Sequence, residues 1–355
     1  MPISLRSLLE LPPTEGSSVE LFGPDSVIGR NTMLSKGRRV ERAKVAFAWD
    51  KEDYFRALAP ATGRGAASKT VKTKEPTRYM IGGVFFRINH AFTGEMLNAL
   101  RSPGDISSNA AAEIQKTRRA LRARLLLSKE RLWSMAFKGT TTIDSTEFPD
   151  GTVEGVSISW GINTLAVSAS WNTINTLIVS ADCETFKADF VDTAGVRIQR
   201  FIFNETVSKM LKKNTEIKDF IAHLPRSEQF LTATADQFSG MGGIPEWVEY
   251  LGSYKPEGGS TTRFVANDAL IALPEGYEDL CCEARFAMDR PGSTQLVASR
   301  PEDMIPEEVY GDEDGIDEYV YQSPDPASMV YVAQMGIQPI LKLPEAFGYE
   351  SAVTS

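Results

Sequence analysis

The side chains best suited to catalysis or metal binding are few and widely separated in this 355-residue chain. The two histidines, His90 and His223, lie far apart, and no acids or cysteines stand at ligand spacing from either. The cysteines are Cys183, Cys281 and Cys282, an odd number with two adjacent, which forms neither a disulfide framework nor a metal pattern. We interpret the histidines as structural and the cysteines as buried thiols in a reducing compartment.

Three further segments match ligand-binding motifs only in part. Gly63–Ser68 lacks the third glycine of a dinucleotide fingerprint, and Gly240–Gly243 is not followed by the Lys-Ser/Thr of a phosphate-binding loop. Asp312–Glu318 has its glycine two positions too early for a calcium loop, and Ser323 stands where the loop needs a glutamate. We interpret this acidic segment as a solvated loop, with a loose cation site as the alternative. We therefore expect no catalytic residue, no cofactor and no metal.

Charge is divided unevenly along the chain. Between Lys36 and Arg131 there are 21 Lys and Arg against 9 Asp and Glu, although the whole chain carries a formal net charge of -9. Pro301–Ile340 is acidic and contains no Lys or Arg. Separate basic and acidic regions favour association of copies with opposite potentials facing each other. Two solvated faces would produce the same pattern.

An alternating segment in the first hundred residues predicts a long hairpin. We predict a strand over 40–50. A loop rich in Ala, Gly and Thr (Ala59–Ser68) and a second strand-like run (Thr70–Lys74) follow it. Because an isolated two-stranded hairpin is marginal in water, we expect a neighbouring subunit to cover it. The residues expected at that contact are Val45, Phe47, Trp49, Arg64, Lys69, Val71, Lys72, Lys74 and Arg78.

The clearest predicted element is a helix over residues 107–138. No Pro or Gly interrupts it; Ser107, Ser108 or Asn109 can cap its start, and Gly139 suits the position after its end. One face is apolar, and the other is basic, which we interpret as a solvated face with nucleic-acid binding as the alternative. The apolar set is Ile114, Leu121, Leu125, Leu132 and Met135, and the basic set is Lys116, Arg118, Arg119, Arg122, Arg124, Lys129 and Arg131.

The remainder of the chain predicts mainly strands. Residues 140–203 are rich in Ser, Thr, Val, Ile and Trp, and we interpret them as several strands and loops ending in Val196–Phe203. Asn204 is expected to cap a second helix over 205–222. Later candidate strands are Phe264–Leu273, Leu280–Phe286 and the apolar runs within Met329–Ser355, which predict a buried C-terminal strand.

In this order the segments resemble the lambda-type tailed-phage major capsid (head) protein family. The similarity spans nearly the whole chain and lies in the order and spacing of several short stretches. Those stretches are Ser7–Pro13, Ser134–Thr142, Ala194–Asn204 with the helix after it, and Pro339–Pro344.

The resemblance implies an α+β tailed-phage major capsid fold of the Hong Kong 97 type. Residues 1–39 would form an N-terminal arm, 40–88 the extended E-loop, and 89–139 a peripheral domain with its long spine helix. Residues 140–330 would form the axial domain, and 331–355 would return to the peripheral domain. Such a subunit would self-assemble into hexamers and pentamers of an icosahedral virion capsid around double-stranded DNA, in the host cytoplasm.

The same resemblance implies the partners. They would be further copies of the chain, a portal, a decoration protein, packaged DNA through non-specific contacts, and no membrane. A separate scaffolding protein is expected because no long coiled coil precedes the fold. The basic E-loop would meet acidic surface on the next subunit, with residues 302–318 as one candidate. The family's Lys–Asn cross-link is not expected, because the required Asn and Glu are not identified by motif.

Two other functions stay open at the level of sequence. One is a different phage ring protein, a portal or tail-tube subunit. The other is a soluble enzyme with an unrecognised carboxylate site, since acids are plentiful in the chain.

Overall fold

The computed structural model describes residues 46–51, 77–82, 84–93, 106–144, 147–148, 155–171, 179–215, 217–218, 245–255, 259–276, 281–287, 310–311, 316–324, 327–351 and 353. The helices of this part are α1 (Ile106–Ala136), α2 (Val179–Thr193), α3 (Glu205–Lys213) and a 3-10 turn (Pro344–Ala346). The first strands are β1 (Ala46–Lys51), β2 (Thr77–Gly82), β3 (Val84–Thr93), β4 (Thr140–Ile143), β5 (Val156–Ser159), β6 (Asn163–Thr164), β7 (Ile198–Phe203) and β8 (Glu246–Glu249). The later strands are β9 (Ser253–Tyr254), β10 (Thr262–Arg263), β11 (Leu270–Pro274), β12 (Cys282–Ala287), β13 (Tyr310–Gly311), β14 (Ile316–Pro324), β15 (Ala327–Leu341) and β16 (Gly348–Glu350).

Two five-stranded sheets organise the described part of the chain. The long sheet has the order β12-β15-β14-β13, and β3 also pairs with β15. The short sheet has the order β6-β16-β11-β7-β8. Three two-stranded ribbons, β1-β2, β4-β5 and β9-β10, complete the pairing.

The long sheet is built around β15. Its backbone pairs antiparallel with β14 from Ala327 to Met335, with β12 from Gly336 to Leu341, and with β3 along most of its length. From Val330 onward its side chains are buried on both faces, as its apolar sequence requires. The prediction of a buried C-terminal strand is therefore confirmed.

Helix α1 packs against this sheet through the apolar face that the sequence predicts. Ile114, Leu125 and Leu132 are fully buried there, and Leu121 and Met135 are also in the core. The helix has 31 residues, which at 1.5 Å rise per residue spans about 46 Å. Both the predicted helix and its apolar face are confirmed.

The chain leaves α1 at a glycine with a left-handed backbone. Gly139 has φ +89°, and a Cβ placed there would lie 2.8 Å from Ile162 Cγ1. Gly161 has φ +67° but would meet nothing within 4 Å. Glycine at 139 is thus needed both for the backbone and for the close approach of Ile162.

Substitution of these two glycines should separate backbone strain from steric clash. We expect Gly161→Ala to lower the free energy of unfolding by about 1 kcal/mol through φ alone. Gly139→Ala should cost about 2–3 kcal/mol, because Ile162 must also move. Urea unfolding of the unassembled subunits measures both, and equal losses would contradict the role given to Ile162.

A second core lies on the short sheet, where α2 and α3 pack. From α2 it receives Val179, Cys183, Phe186 and Phe190, and the side chains of β7, α3, β8 and β11 complete it. The prediction of strands and loops throughout 140–203 is therefore wrong over 179–193. The apolar residues there recur at spacings of four, three and four, which is helical, and this period outweighs the Ser, Thr and Val content of the region.

The second predicted helix is present with a break at Asn214, after which Thr215, Ile217 and Lys218 are again helical and residues 219–222 lie outside the described part. The Thr206 N–H donates to the Asn204 side-chain oxygen at 2.8 Å, which confirms Asn204 as the N-cap. The helix ends at Lys213, where the backbone N–H of Asn214 returns to the carbonyls of Met210 and Leu211.

Other expected strands are found with shifted bounds. The strand expected over 40–50 appears as β1, and those expected at 264–273 and 280–286 appear as β11 and β12. Thr70–Lys74, Gly63–Ser68, Gly240–Gly243 and His223 lie outside the described residues.

Candidate assembly surface

The β1-β2 ribbon contains the predicted contact residues that the structure describes. Its register is antiparallel, with Phe47 opposite Ile81 and Trp49 opposite Tyr79. Among the described strands, no third one pairs with either edge. A two-stranded ribbon buries too little on its own to be stable in water, so this pairing requires support from elsewhere.

The structure places only three of the predicted contact residues. Phe47 and Trp49 lie in β1, and Arg78 lies in β2, where the backbone register sets it opposite Asp50. The others fall outside the described residues: Val45, Arg64, Lys69, Val71, Lys72 and Lys74.

The predicted basic face of α1 is only partly solvated. Lys116, Arg119 and Arg124 are exposed, as expected. Arg118 and Lys129 are buried, each with only 4% of its surface exposed, so the prediction of a solvated face is wrong for these two.

Arg118 is buried because an acid from the far end of the chain meets it. Its Nη2 donates to Glu318 Oε2 at 2.7 Å, and its guanidinium lies 5.5 Å from the centroid of the Tyr331 ring. Arg122 Nη1 lies 3.8 Å from the other carboxylate oxygen of Glu318. Burial lowers the pKa of Arg118, but the hydrogen bond and charge of Glu318 outweigh it, and the net direction is upward. This ion pair links α1 to β14 across the core.

The same contact corrects the interpretation of the acidic segment. Asp317 and Glu318 are buried in β14 rather than exposed in a solvated loop, whereas residues 312–315 lie outside the described part. Glu318 is therefore engaged within its own subunit, which removes it from the acidic surface expected to meet a neighbour's E-loop.

A buried acid on α1 faces the strand region around β8. The Tyr250 hydroxyl donates to Glu130 Oε1 at 2.6 Å, and Glu130 is only 2% exposed. Burial raises the pKa of Glu130 to about 7, against the opposing effects of the Tyr250 hydrogen bond and the neighbouring Lys129 charge. Sequence reasoning missed this residue, because Glu130 stands between two bases on a helix and looks like an ordinary surface acid.

A third α1 contact involves Arg131. Its guanidinium forms an ion pair with Glu147 and lies 4.9 Å from the centroid of the Tyr254 ring. Arg131 is half-buried. The basic face of α1 therefore includes both solvent-exposed side chains and, at Arg131, a side chain in contact with the β9 region.

The residues first considered for chemistry that the structure describes are the three cysteines and His90. Cys183, Cys281 and Cys282 are buried, which confirms their interpretation as buried thiols. The His90 ring packs edge-on to Phe92 at 4.8 Å between centroids. Within the described ranges no group of three or more His, Cys, Asp or Glu is placed to hold a metal ion. No described helix is both long and apolar enough to cross a membrane.

Comparison with known proteins places these features in a family. Residues 30–286 match the model of phage major capsid protein E, whereas no curated protein sequence matches the chain. The chain is similar to the structure of a prophage capsid protein from E. coli CFT073, with 14% identity, a TM-score of 0.51, and coverage of 77% of this chain and 78% of that one. It is also similar to the capsid subunit of cyanophage A-1(L), with 9% identity, a TM-score of 0.46, and coverage of 98% and 99%.

The likeness to the prophage capsid protein agrees with the α+β architecture. The expected tailed-phage major capsid fold of the Hong Kong 97 type is confirmed. The family match covers well over half of the sequence. The chain belongs to the phage major capsid protein E family and is a structural protein of the phage capsid.

Proposed function

We propose that this subunit assembles into hexamers and pentamers of an icosahedral phage head that encloses double-stranded DNA. Its role there is structural rather than catalytic. The observation that carries the proposal is the β1-β2 ribbon, which pairs with no third strand in the described part of the chain. A ribbon of this kind gains stability when a neighbouring subunit covers it.

The domain division proposed from the sequence follows the same plan. Residues 40–88 act as the E-loop and 89–139 as the peripheral domain with its spine helix, and 140–330 act as the axial domain. Residues 331–355 return to the peripheral domain, which the pairing of β15 with β3 and its packing against α1 support for residues 331–341, whereas β16 pairs with β11 of the short sheet.

Further partners follow from the proposed role. Assembly takes place in the host cytoplasm with a separate scaffolding protein, a portal and a decoration protein. DNA contacts are non-specific.

Electron microscopy of the purified full chain tests the proposed function directly. We expect closed shells or capsomers with five and six subunits. A uniform ring of a single larger copy number would support a portal or tail tube, and a small discrete oligomer with catalytic turnover would support an enzyme. Either result would overturn the proposal.

Neutralising three lysines of the E-loop tests the electrostatic part of the inter-subunit contact. We expect Lys69→Gln, Lys72→Gln and Lys74→Gln together to raise the protein concentration needed for shell assembly about tenfold, since each lost exposed pair costs about 0–1 kcal/mol. The difference from wild type should shrink at high salt, because salt screens these charges.

The matched control for this variant removes three exposed bases elsewhere, Arg124, Arg197 and Lys255, each changed to Gln. Sedimentation of assembly reactions across a salt series compares the two variants. Equal effects of both triple variants would show that net charge matters and that the E-loop lysines make no specific contact.

A further inference from the structure

The outer face of α3 is strongly basic. Lys209, Lys212 and Lys213 are exposed at spacings of three and one, which places them on one side of the helix, while Val207 and Leu211 are buried on the other. The nearest acid on the helix is Glu205, whose carboxylate lies 2.5 Å from Lys209 Nζ. Lys212 and Lys213 give the outer face of this helix a net positive charge.

The outer face of α2 has the opposite sign. Glu184, Asp189 and Asp192 are exposed there, and Lys187 is half-buried at its margin. Val191, seven residues after Glu184 and therefore beside it on the helix surface, has 43% of its surface exposed. Val191 and Val156 are the exposed large apolar side chains of the described residues, so this acidic face also offers an apolar contact.

The short sheet holds these two helices over different strands. Helix α2 lies near β16, because a Cβ on Gly348 would come within 2.7 Å of the Phe190 ring. Helix α3 lies at the β8 edge, where the Ser208 hydroxyl donates to Glu249 at 2.8 Å. Helix α2 also reaches the middle of the sheet, since the Phe186 ring packs edge-on to Phe201 of β7 at 6.3 Å between centroids. One subunit therefore carries an acidic helix over the region from β16 to β7 and a basic helix at the β8 edge.

Such a subunit is suited to head-to-tail association. When two different surfaces of the same chain are complementary, copies join heterologously and close into a ring if the rotation permits. Opposite charges on those surfaces align the copies and disfavour wrong registers. We propose that the acidic face of α2 (Glu184, Asp189, Asp192 and Val191) binds the basic face of α3 (Lys209, Lys212 and Lys213) on the next copy around the capsomer ring.

This inference rests on the proposed function, since it names the surfaces that join neighbours within a capsomer. The occupant is a second copy of this chain and not DNA, because the complementary acidic face belongs to the same fold and would repel a polyanion. The contact is independent of the E-loop, whose residues belong to another part of the chain.

Charge exchange between the two faces tests the contact. The basic variant is Lys212→Glu with Lys213→Glu, and the acidic variant is Glu184→Lys with Asp189→Lys. Each should raise the concentration needed for assembly at least tenfold at about 0.1 M salt, where exposed charges still interact over about 10 Å. The chain carrying all four substitutions restores opposite charges between neighbours, so it should assemble within about threefold of wild type.

Control variants distinguish the possible outcomes. Arg124→Glu with Lys255→Glu changes the net charge as the basic variant does and should assemble like wild type. Circular-dichroism melting of each soluble subunit checks that every variant is folded. Normal assembly of either double variant, or failure of the folded fourfold variant, would overturn this inference.

Two further results distinguish failure of the proposed function from failure of this contact. If wild type itself forms no shells, the proposed function fails. If the basic variant forms normal shells that retain less DNA, α3 faces nucleic acid and the inter-copy contact is wrong.

Discussion

Replacing Arg118 with methionine is expected to lower the free energy of unfolding of the unassembled subunit by about 3–5 kcal/mol. The substitution leaves the carboxylate of Glu318 buried without its 2.7 Å partner. Arg122 approaches the same carboxylate at 3.8 Å but is itself partly exposed, so it offsets little of the loss. Urea unfolding followed by tryptophan fluorescence measures the effect.

Two matched variants identify the cause of this loss. Arg122→Met removes the longer and more exposed interaction with the same acid and should cost at most about 1 kcal/mol. Arg118→Met combined with Glu318→Leu removes both buried charges and should recover most of the stability, because replacing a whole buried pair with apolar groups is often neutral. A loss below about 1 kcal/mol for Arg118→Met alone would mean that water reaches Glu318.

The stability of the subunit should also fall as the pH rises from about 4.5 to 7, through the titration of Glu130. The pKa of this acid is about 7 in the folded state against 4.5 for an ordinary glutamate. The folded state therefore binds more protons than the unfolded chain in this range, and deprotonation favours unfolding. This difference between the folded and unfolded pKa corresponds to a loss of about 3 kcal/mol in the free energy of unfolding, which is complete above pH 7.

Glu130→Gln provides the measurement for this prediction. The amide cannot ionise but keeps an oxygen to accept from the Tyr250 hydroxyl. We expect this variant to gain stability over wild type as the pH rises from 5 to 8, while the two are similar at pH 4.5. Tyr250→Phe should lose more stability than wild type as the pH rises over this range. The reason is that it removes the hydrogen bond that favours the ionised form of Glu130. Parallel pH profiles for wild type and Glu130→Gln would rule out Glu130 as the titrating group.

Elements that depend on local chemistry were predictable from the sequence. The extent of α1, its apolar face from Ile114 to Met135, its glycine stop at Gly139 and the cap at Asn204 all depend on residues within a few positions of each other. The apolar run that forms β15 was equally readable. Helix α2 could have been predicted from Val179, Cys183, Phe186 and Phe190, but the Ser- and Thr-rich composition around them favoured strands.

Helix periods, caps and turn glycines could be predicted because neighbouring residues set them, and the order of the resulting elements resembles the lambda-type head-protein family. Only the tertiary structure decided which charges are buried. Arg118 meets Glu318 from 200 positions away, and Glu130 meets Tyr250 from 120 positions away. No local pattern distinguishes these residues from solvated ones on the same helix, since burial depends on which strand the fold brings against each helical turn. The same holds for the opposite charges of α2 and α3, whose placement over the short sheet is a property of its strand order.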